Sequence, residues 1–454
     1  MSKRTIDQWT WDYWLVKCYV KLCYRIFYRK VEVSNIQNIP KNQPIILASN
    51  HQNALMDALA FVCNTSFQSV FIARSDIFKG KILVHFLNFL NIMPIYRIRD
   101  GIDNVRRNDE VFDKTMSVLR NKYNPIAIFP EGNHGDKRRL RPLVKGIFRM
   151  AFMGQEDYGE SKGVKIVPVG IDYGHYTNFR STVYMNIGKP IEISEYFSHY
   201  SQNKVRAINE LKERLSIEIS KLIIDIQNDR YYDLYMHLRT IYNSKMRNLL
   251  NIKGNSLSQR FVADKKMIEI LDKQSEENAE GLYSVNELTN SYIRELESHN
   301  IRDWVVEHGK FLKVYEILKI ALLGVLSPLF LLGLLNNFIP YKIPEVIVRK
   351  IKDKQFHSSF KFVLGIVLFP LYYLILGIVA GLLIPGALFS WLYIVLMPLT
   401  GFFAYKYYIW VRKIGSKLRF LKGLKEKNGY AHSMIKQRRE IISIMDHICS
   451  KYLK

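Results

Sequence analysis

The chain has 454 residues, with 66 Lys and Arg against 41 Asp and Glu and a formal net charge of +25. That length admits more than one domain, and the charge selects polyanionic partners, either nucleic acid or an anionic membrane face. Two uncharged stretches, 44 residues over 362–405 and 22 over 320–341, have membrane length and favour the membrane. Cys18, Cys23, Cys63 and Cys449 are scattered without a Cys-x-x-Cys pair, so neither a zinc site nor a disulfide framework is indicated, and a reducing, cytoplasm-facing body follows. Lys3 and Arg4 are followed by Asp7 and Asp12 with no small-residue cleavage site, so no signal peptide is read.

Residues 1–35 form the first segment. Lys17, Lys21, Arg25 and Arg29 recur every four positions among aromatic and aliphatic side chains, which predicts an amphipathic helix on a membrane surface, with Trp9, Trp11, Tyr13 and Trp14 at headgroup level. The alternative is a helix packed on the soluble domain. Over 36–195, short apolar runs at Ile45–Ala48, Val70–Ala73, Ile95–Arg97, Ile126–Phe129, Ile166–Val169 and Val183–Ile187 alternate with helical patterns, which predicts an α/β domain with a buried sheet. Val111, Met116 and Leu119 give the apolar face of one of those helices. Residues 196–310 are polar and helical in pattern, with a turn at Lys253-Gly254-Asn255, and read as a helical appendage.

Residues 311–410 are the membrane region. The run 362–405 holds two spans of ~20 residues each, a helical hairpin turning at Pro385-Gly386. Its flanks have the same sign: residues 342–361 carry six basic and two acidic residues, and 406–454 carry thirteen and three. Both flanks, including the basic tail 411–454, are therefore expected in the cytoplasm. A full crossing by 320–341 would put the α/β domain on the other face, so this run, with Pro328 at its centre, is expected to dip in and return or to lie in the interface.

Three motifs carry chemistry. The first, Ser49-Asn50-His51-Gln52-Asn53-Ala54-Leu55-Met56-Asp57, follows a strand and enters an apolar helix. A neutral imidazole accepts a hydroxyl proton near pH 7, and a carboxylate behind it fixes the tautomer. Within one helix the two side chains would stand about 120° apart, so His51 must sit in the turn before the helix. A structural His–Asp pair is the plain alternative. The second, Phe129-Pro130-Glu131-Gly132-Asn133-His134-Gly135-Asp136, also ends a strand and is followed by Arg138, Arg139, Arg141 and Lys145-Gly146, a cationic, glycine-containing phosphate cradle or else a solvated basic turn. The third, Met93 to Gly101, delivers Arg97 and Arg99 on one face of a strand, suited to a phosphate or to surface ion pairs. Val167-Pro168-Val169-Gly170-Ile171 closes the set.

In this order these blocks resemble the glycerolipid acyltransferase superfamily, of the lysophosphatidic acid and glycerol-3-phosphate acyltransferase type, over about a third of the chain. Asn50-His51-Gln52-Asn53 to Asp57 and Phe129 to Gly132, continued by Leu140-Arg141-Pro142-Leu143-Val144-Lys145-Gly146, are similar to the subgroup with fungal glycerol-3-phosphate acyltransferases. The His–Asp spacing is one residue longer than the superfamily's usual one, and Asn133-His134 stand where Thr and Arg are usual. The resemblance implies an α/β acyltransferase domain with a mixed sheet flanked by helices, then the helical region and the transmembrane hairpin. It implies an integral membrane enzyme of phospholipid synthesis whose catalytic domain faces the cytoplasm. The acyl donor would be a thioester, acyl-CoA or acyl carrier protein, the acceptor a hydroxyl of glycerol 3-phosphate or lysophosphatidic acid, and no metal or other cofactor is needed. His51 and Asp57 would be catalytic, while Arg97, Arg99, Glu131, Gly132 and Lys145 bind substrate. The rival readings are a non-catalytic membrane-surface protein that binds phospholipid headgroups and a nucleic-acid binder. Against the latter, the basic residues accompany membrane-length apolar runs and no nucleic-acid module is recognised.

Overall fold

A computed structural model describes residues 10–78, 80–96, 108–121, 124–309, 314–383, 387–427 and 429–453. The chain divides into two compact units, residues 1–225 with 348–363, and residues 226–347 with 364–454.

The first unit opens with helix α1 (Trp11–Phe27) and strand β1 (Lys30–Ser34). It continues through β2 (Ile45–Ser49), α2 (Leu55–Asn64), β3 (Val70–Arg74), α3 (Lys81–Phe89), β4 (Ile92–Ile95), α4 (Asn108–Asn121), β5 (Ile126–Ile128) and α5 (Gly146–Glu156). It closes with β6 (Lys165–Tyr173), β7 (Thr182–Ile187), β8 (Ile191–Glu192), α6 (Phe197–Gln202) and α7 (Lys204–Leu222). Among the described residues the strands form one mixed sheet in the order β1-β7-β6-β2-β5-β3-β4, with β8 on β6. β6 runs antiparallel to β7 and β8, and every other pairing is parallel. All of Ile45–Ser49 is buried, as a central strand covered on both faces requires.

Two features differ from the sequence reading. The strand expected at Ile95–Arg97 is Ile92–Ile95, so it closes before Arg97, and Arg97 and Arg99 lie outside the described residues. β1, which the sequence reading left in the 1–35 segment, pairs with β7, and α7, beyond the expected edge at 195, covers the sheet with Ala207, Ile208, Leu211, Leu215 and Ile219. These side chains share one face of α7, so a helix that looks polar overall still supplies an apolar stripe to the core. In α1, Tyr13, Tyr24 and Phe27 are buried while Trp11, Trp14, Leu15, Leu22 and Ile26 stay exposed, so the helix packs on one side and leaves a greasy strip on the other. Lys17 Nζ is drawn inward to the Phe67 carbonyl at 3.0 Å and leaves the basic stripe.

The second unit is helical: α8 (Tyr232–Ile241), α9 (Asn243–Leu249), α10 (Leu257–Glu277), α11 (Ala279–Ser298), α12 (Asp303–His308), α13 (Val314–Val325), α14 (Ser327–Val348), α15 (His357–Leu383, whose first turns belong to the other unit), α16 (Ala387–Lys425) and α17 (Tyr430–Tyr452). Buried tyrosines are paid for with carboxylate partners: Tyr235 donates to Asp272 at 3.0 Å, Tyr242 to Asp446 at 2.6 Å and Tyr292 to Asp303 at 2.8 Å. Among the described residues, two helical stretches, Lys354–Leu383 and Trp391–Lys425, are long and apolar enough to cross a membrane, as expected of a membrane protein. The turn expected at Pro385-Gly386 lies outside the described residues. The 320–341 run falls in a pair of helices, α13 and α14, bent by 61° just before Pro328. Lys417 Nζ of α16 meets Glu316 of α13 at 2.6 Å, and Asn337 of α14 donates to the Gly333 carbonyl at 2.8 Å and accepts from Tyr373.

Gly170 on β6 is the point of closest helix approach, because a Cβ there would stand 2.1 Å from the Leu222 carbonyl oxygen at the end of α7. Overpacking of this kind costs about 1–3 kcal/mol. Gly170→Ala should therefore lower the melting temperature of the detergent-solubilised protein, while Gly146→Ala, where a Cβ meets nothing within 4 Å, should leave it unchanged.

Candidate active site

The parallel strands β2 and β5 are neighbours in register, Ala48 beside Ile128, so the loops that leave their C-terminal ends emerge side by side. Asn50 fixes the first loop. Its side-chain amide donates to the Ile171 carbonyl at 3.0 Å and accepts from the Ile171 N–H at 2.8 Å, extending the β2–β6 pairing by one side chain. The loop then turns through Ala54, at φ 43°, a left-handed value that costs a residue with a Cβ about 1–3 kcal/mol. This turn brings His51 and Asp57 together across six positions of sequence.

What holds the turn is Asp57, in the first turn of α2 and fully buried. Its Oδ2 accepts from the Gln52 N–H, the Asn53 N–H and His51 Nδ1, each at 2.8 Å, and its Oδ1 accepts from the Tyr173 hydroxyl at 2.7 Å. A carboxylate in this position makes Nδ1 the donor, so Nε2 of a neutral His51 is left with its lone pair free. The His51 side chain keeps 13% of its surface exposed. Its ring stacks on Phe129 at 4.2 Å and meets the His134 ring edge to face at 4.3 Å. An imidazole fixed in this tautomer and plane can act as a general base.

The second loop is strapped to the first by Glu131. Its Oε1 accepts from the His51 N–H at 2.7 Å, and its Oε2 accepts from Arg141 Nε at 2.8 Å and the Arg141 N–H at 3.2 Å. Burial pushes the Glu131 carboxyl above its ordinary range, with Arg141 and the His51 N–H pulling the other way. Gly132 follows at φ +67°, with Val144 packed 3.1 Å from where a Cβ would stand, so glycine is required twice over. Val144 in turn donates to the Pro130 carbonyl at 2.7 Å, bringing exposed Lys145 and the N-terminus of α5 to this loop.

The cations after Glu131 are not a free cradle. Arg141 is spent on Glu131 and on the His134 carbonyl at 2.5 Å, and Arg138 is buried, bonded to Asp172 and to the Tyr173 carbonyl. Both tie loops together. Arg74, at the end of β3, bonds Asp76 and reaches the Asn133 side chain at 3.2 Å. The structure thus joins His51, Asp57, Glu131 and Gly132, carries Lys145 on the same loop, and leaves Arg97 and Arg99 outside its described residues. Three participants were not singled out in the sequence: Tyr173, Arg74 and His134. Tyr173 ends an apolar strand and has no motif of its own; His134 was noted only as a departure from the superfamily's usual residues after Phe129-Pro130-Glu131-Gly132, with no role given to it.

His134 has Phe356 4.9 Å from its ring, and among the described residues its buried Nδ1 has no partner. Burial, then His51, push it from the ordinary histidine value of 6.5 down to about 4, with Asp57 opposing.

Residues 30–172 match the Acyltransferase family model. Glycerol-3-phosphate O-acyltransferase 1 of Saccharomyces cerevisiae is 34% identical over 121 residues, 26% of this chain and 15% of that protein. Glycerol-3-phosphate O-acyltransferase 2 of the same yeast is 28% identical over 31% of this chain and 18% of its own length, so the match spans under a fifth of either yeast protein. The 1-acyl-sn-glycerol-3-phosphate acyltransferase of Borreliella burgdorferi is 27% identical over 36% of this chain and 59% of its own. Among solved structures, the 1-acyl-sn-glycerophosphate acyltransferase PlsC of Thermotoga maritima aligns with 46% of this chain and 79% of its own, at 20% identity and a TM-score of 0.33.

Removing the Tyr173 hydroxyl leaves Asp57 Oδ1 buried without its donor, so Tyr173→Phe should cost about 1–3 kcal/mol, read as a lower melting temperature. A second expectation concerns pH. The unfolded chain takes up a proton at His134 near 6.5 that the folded chain refuses until about 4, so its contribution is intact above 6.5 and is lost as pH falls through that window. Melting temperatures from pH 7 down to pH 4 should fall less steeply in His134→Gln than in the wild type; equal slopes would refute the assignment.

Proposed function

We propose that this chain, which carries an acyltransferase-family domain over residues 30–172, moves a fatty acyl group from a thioester to a hydroxyl of glycerol 3-phosphate or lysophosphatidic acid at a membrane. The single observation that carries the reading is the His51–Asp57 pair at 2.8 Å, on a loop held open at the C-terminal ends of β2 and β5. His51 Nε2 takes the acceptor's hydroxyl proton as that oxygen attacks the thioester carbonyl, and Asp57 steadies the imidazolium. The thiol leaves with the proton returned by His51, so no covalent enzyme intermediate is formed. Glu131 and Gly132 shape the pocket. Lys145 at the start of α5, with Arg97 and Arg99, supplies the acceptor phosphate with cations, and the helix N-terminus adds its own positive end.

The catalytic domain, the basic loop 342–361 and the basic tail face the cytoplasm, as the excess of Lys and Arg directs. The α13–α14 pair enters and returns on that face. Glu316 at the start of α13 is paired with Lys417, beyond the apolar part of α16, and the chain that leaves α14 at Val348 starts the next span within ten residues.

A positioned base contributes about 10² to 10⁴-fold in rate. Membranes containing the full chain, given radiolabelled acyl-CoA or acyl carrier protein thioester and a panel of acceptors, should form labelled lipid, and His51→Ala should reduce turnover by that factor without loss of membrane attachment. Lipid binding without turnover in the wild type would instead identify a headgroup-binding protein. Single cysteines placed at Val314 and Arg349 should react with an impermeant reagent from the same face of the membrane; labelling from opposite faces would make α13–α14 a true span.

A further inference from the structure

Beside the proposed base stands a second imidazole to which the acyl-transfer scheme above gives no task. The His134 ring is held between His51, 4.3 Å away, and Phe356, 4.9 Å away, both edge on, and its backbone carbonyl anchors Arg141 at 2.5 Å. Its side chain has no hydrogen-bond partner among the described residues, and only Nδ1 of its two nitrogens is sealed, which leaves Nε2 as the nitrogen open to a ligand.

A sealed nitrogen with no acceptor beside it decides the tautomer. A proton on Nδ1 would be a buried donor with nothing to receive it, whereas a proton on Nε2 can be solvated or used. Protonating both nitrogens would bury a charge near His51, Arg74 and Arg141, with only Asp57 in favour, and the ring accordingly stays neutral down to about pH 4. The result is a fixed, uncharged N–H donor within one ring's width of the base.

We propose that His134 is a further catalytic residue, its Nε2–H donating a hydrogen bond to the thioester carbonyl oxygen as that oxygen gains charge. The inference rests on the acyl-transfer reading. In the step, the acceptor's O–H proton passes to His51 Nε2 while the O–C bond forms, and the carbonyl's π pair moves onto the oxygen facing His134. When that pair returns, the C–S bond breaks and the thiolate takes the proton from His51. His134 keeps its own proton throughout. A neutral donor suits this place because a cation at the same point would oppose the imidazolium that forms on His51.

The test uses the full chain in membranes with acyl-CoA and glycerol 3-phosphate or lysophosphatidic acid, whichever the wild type uses. His134→Phe keeps an aromatic ring between His51 and Phe356 and removes the donor; His134→Gln restores an N–H and removes the ring. Loss of one oxyanion donor costs on the order of 10² to 10³-fold in kcat, so His134→Phe should lose that much with the acceptor KM nearly unchanged, and His134→Gln should regain about tenfold of it. The acid limb of the pH profile should not move in His134→Phe, because the ring it replaces carries no charge there. A His134→Phe enzyme as fast as the wild type beside a slow His134→Gln would reduce the residue to packing. A raised KM at constant kcat would make it an acceptor ligand, and equal loss in both variants at unchanged melting temperature would also overturn the donor role. Absence of His51-dependent turnover in the wild type is a separate result, which removes the acyl-transfer reading itself and this proposal with it.

Discussion

The site is organised by one buried carboxylate. Asp57 has no exposed surface, and a charge removed from water must be met by donors. It is met by the imidazole of His51, the backbone N–H groups of Gln52 and Asn53, and the hydroxyl of Tyr173. Those donors come from the loop after β2 and from the far end of β6, so one side chain closes a turn, aims an imidazole and joins two strands. The left-handed Ala54 is the strain that this closure tolerates, offset by four hydrogen bonds to a single carboxylate. Glu131 repeats the device on a smaller scale, holding the His51 N–H with one oxygen and Arg141 with the other.

The high positive charge is less available than its total suggests. Arg138 is consumed by Asp172 and a carbonyl, Arg141 by Glu131, Lys17 by the Phe67 carbonyl, and in the helical unit Lys417 by Glu316 and Arg438 by Asp303. Each bond keeps a guanidinium or ammonium at a fixed point where a loop or helix end needs donors, and a cation so engaged has little left for a phosphate. A run of basic residues after a strand therefore has two outcomes, ligand cradle and internal strap. In this protein Arg138 and Arg141 take the second.

Apolar period and motif order made much of this legible in the sequence. Ile45, Val70, Ile126, Ile166 and Val183 each begin or fall within a strand, because β-branched runs buried on both faces leave an unmistakable pattern. The two long apolar helices were legible from length alone. Less was readable where side chains are mixed: β1 reads Lys-Val-Glu-Val-Ser and pairs only at the sheet's edge, and α7 hides a five-residue apolar face among Lys, Arg and Glu. The strand was expected three residues late because Tyr96 and Ile98 continue the apolar pattern past the end of β4 at Ile95. Tyr173 could not be found by spacing, since its partner is 116 positions away.

The position of Phe356 bears on why such a site would belong to a membrane protein. Residues 348–363 are part of the first unit, and within them Phe356 meets His134, Lys361 Nζ donates to the Thr177 carbonyl at 3.0 Å, and Phe362 packs edge-on against Phe27 at 5.6 Å. His357, the next residue, begins a helix apolar enough to cross a membrane. The imidazole pair is thereby tied through one aromatic contact to Phe356, the residue before that helix, and in a separate contact Phe27 of α1 packs on Phe362, while α1 leaves Trp11, Trp14 and Leu22 exposed. The product of the proposed reaction joins a polar head to a lipid tail, and a site tied to residues that lead directly into a membrane-length helix suits such a molecule. Through the same contacts a change at Phe356 reaches His51 by way of His134, not only through the anchoring of the protein.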